Sequence, residues 1–195
     1  MFLATVTRTR LDTTANSQFN GLIGIWSFTE QRMAQRSNIN RPTGAMDAIC
    51  VEVNKERYKR MLVDQVILKI KEVWPAGSNR TILVQLDNAP SHRIATDPEL
   101  VAASQSDGFN IELINKPPNS PDCNVLDFGF FYAVHSLQNC TTPRTNDELI
   151  AEVKRAFNAQ TADKLSKVWT TQQAVLEQIM LAKGDNAFKI PHLKK

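Results

Sequence analysis

Two aspartates stand where chemistry could be done. Asp87 closes the apolar run "TILVQL" and opens the string "DNAPSH"; Asp127 follows the proline-stiffened string "KPPNSPDCN", inside "VLDFGFF". An acid at the carboxyl end of a buried strand sits at the edge where open α/β sheets bind ligands. The prolines of the second string fix backbone direction and would deliver Asp127 rigidly. Two carboxylates brought together repel each other and call for a divalent cation. Mg²⁺ suits such a pair because it takes oxygen ligands, needs few protein groups and keeps waters and phosphate oxygens. Two such ions about 3.5–4 Å apart activate a nucleophile and stabilise the leaving oxygen of a phosphodiester.

Each residue also has a plainer reading. Asp87 could simply cap a strand. Asp127 could be an acid in the first turn of a helix, where the helix dipole favours it. Asn88 stands either beside metal-bound water or in an Asx turn. His92 either positions DNA or a phosphate, or bonds the turn that follows Asp87. Asp122 reads as a loop acid bonding backbone amides, and His135 as a satisfied core histidine.

The elements that must position these residues are legible in outline. "MFLATVTRTR" alternates, with Phe2, Ala4 and Val6 on one side and Thr5, Thr7 and Thr9 on the other, which is strand period. "GLIGIWSFTE" is a second strand, and the polar "LDTTANSQFN" between them predicts a long-looped hairpin. Residues 30–48 read as loop, and "ICVEV" as a short strand or an extended lead-in. Asn54 predicts an N-cap, followed by a helix with Tyr58, Met61, Leu62, Val66, Ile70 and Val73 on one face that ends before Pro75. "TILVQL" reads as a strand buried on both faces, as in parallel pairing. "DPELVAASQSDGF" predicts a helix from its Asp-Pro start and trailing Gly108, and "FNIELIN" another strand. "VLDFGFFYAVHSLQ" predicts an apolar helix holding Asp127. Thr145 and Glu148 form a capping-box pattern for a helix over 146–158, and a last helix is expected over Ala162–Ala182. The three tryptophans, Trp26, Trp74 and Trp169, read as core. The predicted class is mixed α/β with a largely central sheet.

Composition narrows the function classes. The 195 residues are 42% hydrophobic and 22% charged, and the net charge of +3 permits a nucleic-acid partner without demanding one. Cys50, Cys123 and Cys140 are odd in number and form no C-x-x-C pair, which points to reduced thiols in an intracellular protein rather than a disulfide scaffold or zinc site. No apolar run approaches the ~20 residues of a membrane span, and the first ten residues are too polar for a signal peptide. Arg8, Arg10, Arg32, Arg36 and Arg41 flank the first hairpin, and Lys183, Lys189, Lys194 and Lys195 lie in the tail. Both groups offer phosphate contact or ordinary solvated charge.

The two strings together resemble the catalytic region of mariner-like transposases of the plant type. That family carries a D-N-A-x-x-H string, matched by Asp87, Asn88, Ala89 and His92, and an S-P-D-x-N-x-x-D string, matched by Ser120, Pro121, Asp122, Asn124 and Asp127. Thirty-nine residues lie between Asp87 and Asp127, the spacing typical of that branch. "MFLATVTRTR", "GLIGIWSF" and "GDNAFKIPHLKK" also look like it, so the resemblance runs from end to end. It implies a ribonuclease H-like sheet flanked by helices, with residues 1–138 as a partial catalytic core and 139–195 as a helical extension with a basic tail. It implies Mg²⁺ or Mn²⁺ held by Asp87 and Asp127, DNA (transposon ends and target) as partner, a homodimer as one assembly, and a nuclear setting in a eukaryote, although no targeting signal is read. The family chemistry is DNA cleavage and strand transfer by a DDE/D endonuclease.

Where the chain departs from the family, the expectation changes. The first catalytic aspartate of the family lies in a D-E-x-W-F segment on the central strand, upstream of "MFLATVTRTR"; Asp12 and Asp47 lack that context. A truncated domain, inactive alone because the acidic triad is incomplete, is therefore expected. The alternative is a non-catalytic module that keeps the scaffold for nucleic-acid or protein binding, and a third reading is an unrelated α/β domain. Without the central strand, residues 1–8 and 81–86 should either pair directly or face a gap with open edges, which lowers stability and solubility.

Overall fold

The computed structural model describes all residues except 13–15, 38, 40, 119, 139–141, 186, 187 and 190–195, and it describes no side chains for Leu137 and Gln138. The first strand, β1 (Phe2–Val6), leads through β2 (Arg10–Asp12) and β3 (Ser17–Phe19) to β4 (Leu22–Ser27). β1 pairs antiparallel with β4, and β2 with β3. The stretch expected as a polar connection thus carries a short ladder of its own. It is three residues a side with no apolar alternation, so period gave no sign of it. At the junction Gly21 adopts φ +83° and its carbonyl accepts from Thr7 N at 2.7 Å. A Cβ there would overlap the Thr7 carbonyl oxygen.

One extra residue in β4 shapes the core. Thr5 pairs with Gly24 but Val6 pairs with Leu22, leaving Ile23 bulged. Leu22 and Ile25, three apart, therefore share a face with Phe2, Ala4 and Val6, as the alternation of β1 predicts. Ile23 turns to the other face with Leu3 and Trp26.

Next come β5 (Thr29–Met33) and β6 (Met46–Cys50), an antiparallel pair where the sequence was read as loop. "TEQRM" has no apolar period, and three of its five residues are exposed. The pair is instead anchored at its base, where Val51 N donates to the Phe28 carbonyl at 3.1 Å.

Helix α1 runs as Lys55–Met61, a π-helical stretch Leu62–Ile67, and Leu68–Val73. Asn54 caps it, its side chain accepting from Arg57 N at 2.9 Å. Tyr58, Leu62, Val66 and Ile70 are buried along it. Strand β7 (Thr81–Leu86) follows, then α2 (Pro98–Ser104), capped by Asp97, and β8 (Asn110–Asn115), which pairs parallel with β7. The parallel pairing agrees with the sequence, but the burial on both faces that its apolar run predicts is not found. Ile82 and Leu86 are buried but Leu83 is 62% exposed, because β7 has a strand on only one side.

The helix expected over "VLDFGFFYAVHSLQ" is broken. A 3₁₀ turn, Val125–Asp127, is separated from helix α3 (Phe130–Gln138) by Gly129 at φ +95°. Asp127 thus lies before the helix, not in its first turn. His135, read as core, is exposed on α3. Helices α4 (Asn146–Asn158) and α5 (Ala162–Leu181) complete the chain. Thr145 caps α4 by accepting from Glu148 N at 3.1 Å, while the Glu148 carboxylate turns back to Arg144 N at 2.6 Å.

The result is mixed α/β with five helices among the described residues. One buried cluster packs α1 and α2 against Ile23, Ile82, Leu86 and Ile111. The other packs α3, α4 and α5 against Ile25 and the outer face of β1. Between the helical layers the strands pair only in twos among the described residues: β1 and β7 do not pair with each other. The tryptophans are half-buried and packed against these clusters. No helix among the described residues is long and apolar enough to cross a membrane.

Candidate functional site

Asp87 is the first residue beyond β7. Its Oδ1 accepts from Ala89 N at 3.3 Å, closing an Asx turn, and is hydrogen-bonded to His92 Nδ1. The turn is short because Pro90 opens a 3₁₀ helix, Pro90–His92, with His92 N donating to the Ala89 carbonyl at 2.8 Å. Asn115, at the end of the neighbouring strand, fastens the loop: its Nδ2 donates to the Asp87 carbonyl at 2.9 Å and the His92 carbonyl at 3.3 Å.

His92 is buried, and its ring stacks on Tyr58 of α1 with centroids 3.8 Å apart. The bond to His92 holds the Asp87 carboxyl below the usual carboxylate range against a partial burial penalty, with Lys116 adding a smaller favourable charge. Burial pushes the Tyr58 phenol far up, and the charge of Asp87 adds to that. His92 is thereby bonded to the residue that opens the turn. Its Nε2 is buried and has no hydrogen-bond partner.

Asp127 belongs to a second structure beside the first. Asn124 Oδ1 accepts from Leu126 N at 3.2 Å, and Asn124 Nδ2 donates to Asp127 Oδ2 at 3.0 Å. The preceding turn is tied to β7, since Gln85 Nε2 donates to the Cys123 carbonyl at 2.7 Å. Gln172 of α5 donates to the same carbonyl at 2.9 Å. Asp87, His92 and Asn124 all line one cavity. The chain thus brings the two aspartate strings to one place, with each carboxylate already bonded to its own neighbour.

The remaining residues are placed as follows. Asn88 is turned to Arg93, accepting from its Nε at 2.8 Å. Arg8 is exposed. Arg10 is committed elsewhere, its guanidinium 4.3 Å from the Trp74 ring centroid and bonded to Thr7 Oγ1 at 3.2 Å. Lys194 and Lys195 lie outside the described residues. Cys50 and Cys123 are free thiols, and Cys140 lies outside the described residues. Among the described residues no group of three or more His, Cys, Asp or Glu side chains is gathered to hold a metal.

Sequence reasoning missed Tyr58, Gln85 and Asn115. Tyr58 was counted only as one apolar position of a helix, and nothing local shows that its ring meets His92. Asn115 had a usable signal: it ends a strand parallel to the one that ends at Asp87, so both sit on the ligand edge of the pair.

No protein-family model matches the chain, and no curated protein matches it.

Proposed function

We propose that the chain is part of the catalytic domain of a mariner-like DDE/D transposase with a ribonuclease H-like fold. Its ancestral chemistry is metal-dependent cleavage and strand transfer of DNA, and residues 1–195 supply two acids of the family's three, Asp87 and Asp127, so these residues by themselves should be inactive. One observation carries the reading. The strand leading to Asp87 is tied through Gln85 to the turn leading to Asn124 and Asp127, so two strings far apart in the chain meet beside one cavity, which Asp87 and Asn124 line.

The donor chemistry fits a hard cation. Asp87 has its hydrogen bonds on Oδ1 and keeps Oδ2 for a ligand. Its carboxyl is held in the ionised form, and Asp127 is an exposed carboxylate. Oxygen ligands of this kind suit Mg²⁺ or Mn²⁺. Asp87 and Asp127 would hold the ion, which would supply activation of the attacking oxygen and stabilisation of the leaving one. DNA is the partner in this reading and the nucleus the setting.

Calorimetric titration with Mn²⁺ tests the site. Asp87→Asn and Asp127→Asn should each weaken binding at least tenfold, while Asp122→Asn should not; unchanged binding in the first two removes the reading. The isolated chain should also fail to nick a supercoiled plasmid carrying transposon ends.

One observation favours a non-catalytic module instead: both carboxylates are already engaged by side chains of their own loops. Salt-dependent DNA binding that ignores Mn²⁺ and both substitutions would select it.

A further inference from the structure

Arg93 is held where β7 and β8 end. Its backbone lies between His92 and Ile94, both buried, and Ile94 N donates back to the His92 carbonyl at 3.0 Å. Its side chain is exposed, and its Nε donates to Asn88 Oδ1 at 2.8 Å. A guanidinium is planar, so a bond at Nε restrains the whole fork. Both Nη groups are left without an acceptor among the described residues.

Lys116 is the second cation at this edge. β8 runs parallel to β7 with Leu86 opposite Asn115, so Lys116 stands alongside Asp87, on chains ~4.8 Å apart. Its N donates to the Leu86 carbonyl at 2.9 Å, and Pro117 and Pro118 stiffen the chain that follows. Lys116 acts on Asp87 at a distance and forms no ion pair among the described residues; nor does Arg93. The contrast with α1 is sharp, since Arg57, Lys59, Arg60, Lys69 and Lys71 are each neutralised by a carboxylate. Two unneutralised cations thus share the end of a parallel strand pair where ligands bind.

We propose that Arg93 and Lys116 bind phosphodiesters of a DNA duplex laid across the Asp87 edge, with Asn88 as the residue that positions Arg93. The inference rests on DNA being the partner, as both readings above have it, and it needs no metal. The two cations suit the two parts of the task. The Arg93 fork offers paired N–H donors to the oxygens of one phosphate, and Lys116 meets a neighbouring phosphate as a point charge. Asn88 restrains the fork before DNA arrives, which lowers the ordering cost of binding.

The test is binding of the whole chain to a short fluorescent duplex in EDTA, read by anisotropy over a series of salt concentrations. The plot of log K against log salt loses ~0.9 of its slope for each phosphate contact removed. Arg93→Gln and Lys116→Gln should therefore each make it shallower by about one, and the double variant by about two. Lys154→Gln removes the same charge from an exposed position on α4 and should leave the slope as it was. Asn88→Asp sets a carboxylate against Arg93 Nε. It should make the slope shallower by about one in the natural chain and change nothing further in Arg93→Gln. A purely structural role for these residues would move the melting temperature and not the slope. Unchanged slopes in Arg93→Gln and Lys116→Gln, or an equal loss in Lys154→Gln, overturn the proposal while leaving the DNA reading in place. Failure of the natural chain to bind the duplex at any salt overturns both.

Discussion

Gln85 and Cys123 are joined by a hydrogen bond of 2.7 Å, from the amide of the one to the carbonyl of the other. This bond couples the strand that ends in Asp87 to the turn that precedes Asp127. Gln172 shares the same acceptor, so the Cys123 carbonyl survives the loss of either donor. Gln85→Leu should cost about 1 kcal/mol. Gln85→Leu with Gln172→Leu should cost more than the two single changes added, because a buried carbonyl is then left bare. Urea unfolding of the four proteins measures the coupling.

The Asp87–His92 bond makes a prediction in acid. Asp87 titrates below its unfolded value, so the stability it contributes is fully present above roughly pH 4 and is lost as pH falls through the lowered folded value. His92→Phe keeps a ring on Tyr58 but removes the hydrogen bond, which is the largest cause of the shift. The carboxyl ¹³C titration of Asp87 should move upward in this variant, and its acid unfolding below pH 4 should begin at higher pH.

At the alkaline end the sign reverses. The Tyr58 phenol is raised by burial and then by Asp87, so the folded state refuses the tyrosinate and loses stability as pH rises above about 10. In Tyr132→Phe, where Tyr58 is the only tyrosine left, tyrosinate absorbance should appear together with unfolding and not before it. Tyr58→Ala should destabilise by about 3–5 kcal/mol at neutral pH, since the ring is buried between Phe28 and His92.

Gly21→Ala tests the start of the fold. The positive φ and the overlap with the Thr7 carbonyl should together cost at least ~2 kcal/mol, read as a lowered midpoint in thermal melting. Gly129→Ala also has a positive φ, but nothing lies near its Cβ position, so it should cost less.

Local signals in the sequence carried far. Caps at Asn54, Asp97 and Thr145 mark helix starts, because a side chain must satisfy the first N–H groups whatever lies around it. Period two in β1 and the apolar run of β7 gave both strands. The misses have physical reasons as well. β5 holds no apolar period, and its place depends on contacts at its base. The helix holding Asp127 looked continuous because a glycine inside an apolar run shows no sign of its φ. Of the site, Asp87 and His92 were legible as neighbours in a turn. The ring of Tyr58 beneath His92 and the amide of Gln85 reaching Cys123 join separate elements, and no spacing within either element encodes them.

The unjoined strands change what holds the two halves of the molecule at their distance. A backbone ladder locks neighbours at a fixed spacing and in discrete steps along the chain. Between β1 and β7 there is no ladder, and α1 spans them instead by side-chain packing. Such a joint has no teeth: its width rests on the apolar side chains of α1 and on the bond from Gln85 to the Cys123 carbonyl, and not on a peptide ladder.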